Sequence, residues 1–295
     1  MMDAGLVAPK PGSFDQSYST DLPMNYLGGH VMHEPISVYL IWYGNWNNAK
    51  TIPIIEDMMT NVGSSDWYKI NTSYYEKDSS DIRNGGKTIY ATSDISFKKS
   101  IFVDESKYGS SVSTENFLSI LGDSFQSGIL PSDSNAQYFF LTSKGVTNSD
   151  GMAGSFCTDW CGLHQDANIN GVNIKFAALG DVTQCPNDCS SQGAYTTFGF
   201  DHSPNEDWAA DGMSSIILHE SSEMTSDPNP YSDPTWRNSW FMEAADCCSW
   251  VFSALYLTEN NSVANVKIGN RDFLIQENWV LDKNDAVGGH CGLHL

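Results

Sequence analysis

The stretch ILHESSEMTSDPNP (216–229) places one histidine and two glutamates inside an apolar helical run, and any fold must find room for them. With His219 at zero and roughly 100° per residue, Glu223 falls near 40°, Ile216 near 60° and Glu220 near 100°. Met213, Met224 and Ile217 follow on the same side, while Ser214, Ser215, Ser221 and Ser222 take the other. The titratable groups therefore share the apolar half, and the serines are expected on the wet half. A solvated charge face would be arranged the other way round. Burying two carboxylates and an imidazole unpaired costs several kcal/mol, and a divalent cation would remove that cost.

Residues four apart on a helix point the same way, so His219 and Glu223 can hold one metal ion. This is the HExxH metalloprotease pattern with its second histidine replaced by glutamate, and Glu220 then stands where a general base would polarise bound water. A helical His–Glu pair with few ligands suits one zinc ion better than calcium. WFMEAADCCSW (240–250) offers the third ligand. Read as a helix, it sets Glu243 and Asp246 on one face, one to bind the metal and the other to hold the Nδ1–H of His219; Glu243 is favoured as ligand and Asp246 as its support, with Asp246 the alternative ligand. Between the two motifs, SDPNPYSDP (226–234) spaces Asp227, Asn229 and Asp233 along an extended loop. These are either calcium ligands or turns set by proline, and Asp227 is also an alternative ligand to the first ion.

A histidine also follows a cysteine and a glycine in SFCTDWCGLHQ (155–165). His164 is a candidate for stabilising a developing oxyanion or for touching the metal; the competing reading is a core histidine satisfied by backbone. The same CGLH recurs at 291–294, where His294 is expected to fray. His30, His33, His202 and His290 show no partner spacing.

The formal net charge of -21 repels nucleic acid and anionic lipid, and no 18-residue apolar run is present to span a membrane. Hydrophobic residues at 40% supply a core without help from disulfides. Six of the 7 cysteines nonetheless fall in close pairs, Cys157/Cys161, Cys185/Cys189 and Cys247/Cys248, with Cys291 apart. The three-residue gaps fit disulfides better than zinc ribbons, which points to an oxidising, extracellular compartment. Sequons at Asn71 and Asn260 point the same way. MMDAGLVAPKPGS carries no apolar leader, so a secreted form is expected to start after its cleavage site.

Residues 1–25 read as a flexible lead-in and 26–295 as one domain. Buried strands are expected over 36–44, 136–143 and 172–179, and a half-exposed strand over 87–97. Helices are expected over 52–62 and over 114–130, the latter capped by Thr114. Residues 67–75 fit either a helix or a strand. The C-terminal part includes VFSALYL and RDFLIQENWVL. Strands and helices alternate without clear βαβ spacing, giving an α+β class.

Taken together, the blocks resemble the EXORDIUM, or phosphate-induced protein, family of secreted proteins. The resemblance runs through GGHVM and VYLIWYGNW (28–46), SFCTDWCGLH, TQCPNDC (183–189), ADGMSSIILHESSEMTSDPNP (210–230), FMEAADCCSW and FLIQENWV (273–280), covering about residues 26–292. Plant members carry apolar and small residues where this chain has His219 and Glu220. Microbial relatives look closer, with HExxE, then T-D-P, then Glu-x-x-Asp-x-Cys-x-Trp; here the middle block is TSDP, one residue longer. The resemblance implies a zincin-like site in the microbial branch and a non-enzyme in the plant branch. It also implies nested disulfides, Cys161–Cys185 and Cys157–Cys189, with Cys248–Cys291, leaving Cys247 as the odd thiol.

The reading is thus a secreted, zincin-like α+β domain with disulfide-stapled loops, acting as a zinc endopeptidase on protein or peptide substrates. His219, Glu223 and Glu243 would hold zinc, Glu220 would activate water and His164 would stabilise the transition state. The alternative is a non-catalytic extracellular module that binds a cell-wall glycan or a partner protein. A glycosidase with paired carboxylates ranks last, since nothing sets two carboxylates across a sugar-sized cleft.

Overall fold

The computed structural model describes residues 23–47, 49–78, 86–197, 199–282 and 288–295. Most of the expected N-terminal lead-in, residues 1–22, lies outside these. The folded body begins before residue 26: Met24 is fully buried, and Asn25–Tyr26 pairs with Trp236–Arg237.

The apolar runs form the middle of a five-stranded sheet. Its strands are β1 (Ile36–Tyr43), β2 (Ile95–Val103), β3 (Ala136–Thr142), β4 (Gly162–Ile169) and β5 (Val172–Gly180), in the spatial order β4-β5-β3-β1-β2. All neighbours run parallel except β4, which lies antiparallel at the edge against β5. β3 is buried along its whole length because helices cover both faces, which is why it reads as a continuous apolar run. The alternation along β3 shows the two layers. Phe140 stacks on Phe117 of α2 (Thr114–Gln126) at 4.3 Å, and Gln137, pointing the other way, binds Ser221 of α3 (Trp208–Ser226). α1 (Thr51–Asn61) packs beside α3.

The class is mixed α and β, as expected, but the main sheet is largely parallel. The crossover from β1 to β2 also carries a short helix, two 3₁₀ turns and the hairpin Tyr75–Asp78 with Lys87–Tyr90, and these extra pieces hid the βαβ pattern. The expected strand over 87–97 is therefore two strands, one in the hairpin and one in the main sheet. Residues 67–75, open in sequence, are helix, then 3₁₀ turn, then strand. The cap of α2 is Ser113 rather than Thr114: its N–H donates to Asn116 Oδ1 at 2.9 Å, while the Thr114 hydroxyl donates to Asp150. Edge strand β4, not expected from the sequence, alternates only weakly: Leu163, Ala167 and Ile169 take one face and His164, Asp166 and Asn168 the other, with Gln165 breaking the pattern.

α3 is enclosed on every side. The serines expected in water are buried, with Ser214, Ser215, Ser221 and Ser222 at 0–1% exposure. The C-terminal part covers Ser215 and Ser222, while Ser221 faces the main sheet at Gln137. Ser222 accepts from Asn278 Nδ2 at 2.5 Å and donates to Asn71 Oδ1 at 2.7 Å, and Ser215 Oγ accepts from the Gln276 N–H at 3.1 Å. Small hydroxyl side chains suit this face because they let the layers approach closely while keeping their own polar atoms paired. Asn71 is thereby excluded as a glycan acceptor, being fully buried, and the Asn260 amide is committed to the carbonyls of Ser203 and Pro204 at 3.1 Å each.

The disulfides correct the nested pairing. The bonds are Cys157–Cys185 and Cys161–Cys189, each spanning 28 residues, so the two cysteines of each CxxxC keep their order across the staple. The loop before β4 is tied in this way to the loop after β5. Cys248–Cys291 closes the C-terminal layer, and Cys247 is a buried free thiol.

Candidate metal centre

α3 starts at Asp207, whose carboxylate accepts from the Ala210 N–H at 2.9 Å, and it runs beneath the edge of the sheet. There it meets β4 closely enough that a β-carbon at Gly162 would overlap Glu220 Oε1. The CGLH motif thus divides its work. Cys161 staples the strand, Gly162 makes room for Glu220, and His164, two residues on and so on the same strand face, points at the helix.

Six titratable side chains meet at this contact: His164, His219, Glu220, Glu223, Glu243 and Asp246, all between 0% and 5% exposed. His219 Nε2 stands 3.2 Å from Glu223 Oε2 and 3.4 Å from Asp246 Oδ1. His164 Nδ1 stands 3.4 Å from Glu220 Oε2 and 3.5 Å from Glu223 Oε2, and its Nε2 is 3.5 Å from Glu243 Oε1. Two sets of three residues, His219–Glu223–Asp246 and His164–Glu220–Glu223, each bring their ligand atoms within 4.8 Å of one another.

These spacings are long for charge-assisted hydrogen bonds, which run about 2.7–2.9 Å. Both nitrogens of His164, Nε2 of His219, both oxygens of Glu220 and Glu243, and Asp246 Oδ1 are buried without a hydrogen-bond partner. A tetrahedral ion with bonds of about 2.0–2.1 Å separates its ligands by about 3.3–3.4 Å. The donor types and spacings fit a divalent metal.

Protonation shows the same electrostatic demand. Burial works against the His219 cation, yet the charge of Glu223 and the contact with Asp246 outweigh it and raise the ring well above its ordinary pKa. His164 is likewise opposed by burial but lifted to about 10 by Glu220 and Glu223. Burial raises Glu220, and it raises Glu243 strongly with help from the charges of Asp227 and Glu223. Burial and Glu223 bring Asp246 up to about 7. Burial pushes Glu223 upward too, but both imidazoles hold it below the ordinary carboxylate range.

The structure reassigns three sequence expectations. Asp246, not Glu243, completes the set around His219. The i, i+3 argument assumed a helix, whereas the only helical piece of the segment is the 3₁₀ turn Asp246–Cys248, so the two carboxylates diverge. Glu243 faces His164 instead. The partner of His219 Nδ1 is Gln276, whose Nε2 lies 3.0 Å from it and 2.9 Å from the Ala245 carbonyl oxygen. Ligation through Nε2 leaves the ring proton on Nδ1, which the Gln276 amide accepts only by turning its oxygen there, at the cost of the Nε2 bond to the Ala245 carbonyl oxygen. Gln276 sits in FLIQENWV and carries no spacing signal that links it to His219.

Asp227 is not part of the cluster. Its carboxylate accepts from Arg237 Nε and from the Thr235 N–H, both at 2.8 Å. Asp233 is held by His30 Nδ1 at 2.5 Å. With different partners, Asp227 and Asp233 are braces of the loop, and the calcium expectation for Asp227, Asn229 and Asp233 gains no support. His33 lies 3.8 Å from Glu76 and His202 2.7 Å from Asp201, while His290 and His294 are exposed.

A surface depression of about 480 Å³ lined by Gly44, Trp46, Phe102 and Glu105 lies at the end of β1 and β2, and none of the six cluster residues lines it. No helix among the described residues is long and apolar enough to cross a membrane.

Residues 24–264 match the family model described as the phosphate-induced protein 1 conserved region. The chain is similar to Protein EXORDIUM-like 5 of Arabidopsis thaliana, 26% identical over 88% of this chain and 75% of that protein. Protein EXORDIUM-like 3 of the same plant is 26% identical over 87% and 80%. Protein PHOSPHATE-INDUCED 1 of Nicotiana tabacum is 24% identical over 78% and 73%. No solved structure matches the chain. The family model spans the sheet, α3 and all six cluster residues, and the chain belongs to the phosphate-induced protein family together with the EXORDIUM-like proteins.

Proposed function

We propose that this protein is an extracellular member of its family built around a buried divalent-metal centre, with zinc as its ion, and that it acts by binding a cell-wall glycan or a partner protein. The observation that carries this reading is the cluster itself: six buried side chains, most of their polar atoms unpaired, at ligand spacing and sealed from solvent. His219, Glu223 and Asp246 would hold the ion, and Gln276 would orient His219. When bound, the ion supplies the positive charge that the buried carboxylates lack, and so ties β4, α3 and the C-terminal layer together. Exposed Trp240, Phe241 and Leu257 in the C-terminal part supply apolar surface of the kind that stacks on sugar rings or packs against a protein. Three disulfides suit an oxidising compartment.

A second reading, a zincin-like endopeptidase, is favoured by one observation: Glu220, next to His219 on α3, keeps both carboxylate oxygens unpaired, as a general base would. His164 then serves to stabilise developing charge. Burial counts against this reading, because a scissile carbonyl must reach both the ion and the base.

Metal analysis of the purified protein, followed by casein cleavage with and without a zinc chelator, separates the two. Bound zinc without cleavage supports the binding module. Cleavage that the chelator and Glu220→Gln both abolish, with zinc retained in the variant, supports the peptidase. Protein purified without chelators that neither carries nor takes up zinc overturns both.

A further inference from the structure

With all four carboxylates ionised, the cluster would hold more negative charge than one ion can neutralise. Glu220, Glu223, Glu243 and Asp246 are four carboxylates around two imidazoles, all buried. With the imidazoles neutral, as ligation requires, and the carboxylates ionised, one divalent ion would leave two negative charges to be met by protons in a dry interior, while two ions would leave none. The nearby Asp227 is already neutralised by Arg237, so it neither adds to this excess nor relieves it.

The geometry divides in the same way. The two sets of ligand atoms share one residue, Glu223, and its Oε2 is 3.2 Å from His219 Nε2 on one side and 3.5 Å from His164 Nδ1 on the other. Each imidazole has its own further carboxylate, Asp246 for His219 and Glu220 for His164, and Glu243 lies on the far side of the His164 ring. His164 is fully buried, and neither of its nitrogens has a hydrogen-bond partner. A core histidine kept for packing would have at least one nitrogen satisfied.

We infer that the protein binds two divalent transition-metal ions in adjacent subsites, His219–Glu223–Asp246 and His164–Glu220–Glu223, with the Glu223 carboxylate bridging them. The inference rests on the first subsite being the metal centre proposed above and adds the second. Two histidines with four carboxylates form an oxygen-rich donor set of the kind that dinuclear carboxylate centres use, so manganese and iron(II) are accommodated as well as zinc. In this arrangement Glu220 is a ligand, its place fixed by the absence of a side chain at Gly162.

The test is stoichiometry on the full chain. Protein stripped with chelator is titrated with Zn²⁺ and with Mn²⁺, and bound metal is counted by elemental analysis. The Co²⁺-loaded protein is examined by EPR for exchange coupling between neighbouring ions. The wild type is expected to bind two equivalents and to show coupled Co²⁺, with His164→Asn and Glu220→Gln each binding one. Glu220→Gln keeps the shape of the side chain, so it carries the test if His164→Asn fails to fold, and the wild-type EPR needs no variant. A single equivalent in the wild type, lost in His219→Asn and kept in His164→Asn, overturns the second subsite and leaves the first reading standing. A single equivalent lost in both means one shared ion and also overturns it. No bound metal overturns this inference and the proposed function together.

Discussion

Gly162 and Glu220 touch across the strand–helix interface, so closely that the strand can carry no side chain at that point. A β-carbon there would also stand 2.6 Å from Ile216 Cγ2, and neither neighbour has free space to retreat into. Gly162→Ala is therefore expected to destabilise the protein by about 1–3 kcal/mol through overpacking and to displace the Glu220 carboxylate. Gly122 gives the control. It lies inside α2 with open space around its α-carbon, and Gly122→Ala should stabilise by about 0.5–1 kcal/mol. Denaturant melts of the two variants check the contrast; an unaffected Gly162→Ala protein would remove the steric link between the strand and the motif helix.

Asp227 and Arg237 are a buried ion pair that braces the turn after α3, at 2.8 Å with 0% and 4% side-chain exposure. Arg237→Met leaves the Asp227 carboxylate without its main countercharge and should cost about 3–5 kcal/mol. Asp227→Asn should also destabilise, yet leave the number of bound metal ions unchanged, because the carboxylate serves Arg237 and Thr235 rather than a metal. Loss of an equivalent of metal in a folded Asp227→Asn protein would return this residue to the ligand set.

The disulfide pairing is open to direct mapping. Cleavage on the N-terminal side of Asp159 and Asp188 separates Cys157 from Cys161 and Cys185 from Cys189. Under non-reducing conditions the peptide with Cys157 should remain joined to that with Cys185, and Cys161 to Cys189. Joined Cys157–Cys189 and Cys161–Cys185 peptides would instead restore the nested arrangement. Each bond closes a loop of similar length, and removing either pair as Cys→Ser should cost about 3–4 kcal/mol on the chain-entropy account.

What the sequence made legible follows from periodicity and local chemistry. The strands at 36–43, 136–142 and 172–180 and the helices at 51–61 and 114–126 announce themselves because a strand or helix covered by another layer must be apolar where it is covered. His219, Glu220 and Glu223 were visible because helix geometry alone brings them together. Asp246 and Glu243 were visible as candidates, but where each points depends on whether residues 240–248 form a helix, and the 3₁₀ turn sets Asp246 beside His219 and Glu243 beside His164. Gln276 and Gly162 meet the site only through tertiary packing, 57 residues after His219 in one case and across a strand–helix contact in the other. No local pattern encodes such a meeting. The serine face misled for a related reason: hydroxyls mark either water or a close, internally hydrogen-bonded interface, and only the C-terminal layer decides which.

Asp211 offers a pH test away from the cluster. It lies in the first turn of α3, where its carboxylate accepts from the N–H of Asn205 at 2.9 Å and from its Nδ2 at 2.6 Å. Burial raises its pKa to about 6 against these hydrogen bonds, with the charge of Asp207 adding to the shift. The unfolded chain titrates this group near 3.9, so the folded state holds the proton more tightly. The associated stability is fully present below about pH 4 and is lost as pH rises through about 6, a change of about 3 kcal/mol for a shift of roughly two units. Asp211→Asn cannot titrate and should lack this dependence. Asp246 of the buried cluster titrates close by, at about 7, so the quantity to measure is the unfolding free energy of wild type minus that of Asp211→Asn from pH 4 to pH 7. That difference should fall with rising pH, mostly between pH 4 and 6. A flat difference would mean that Asp211 stays ionised on the strength of Asn205 and the helix terminus alone, and a rising one would reverse the sign of its contribution.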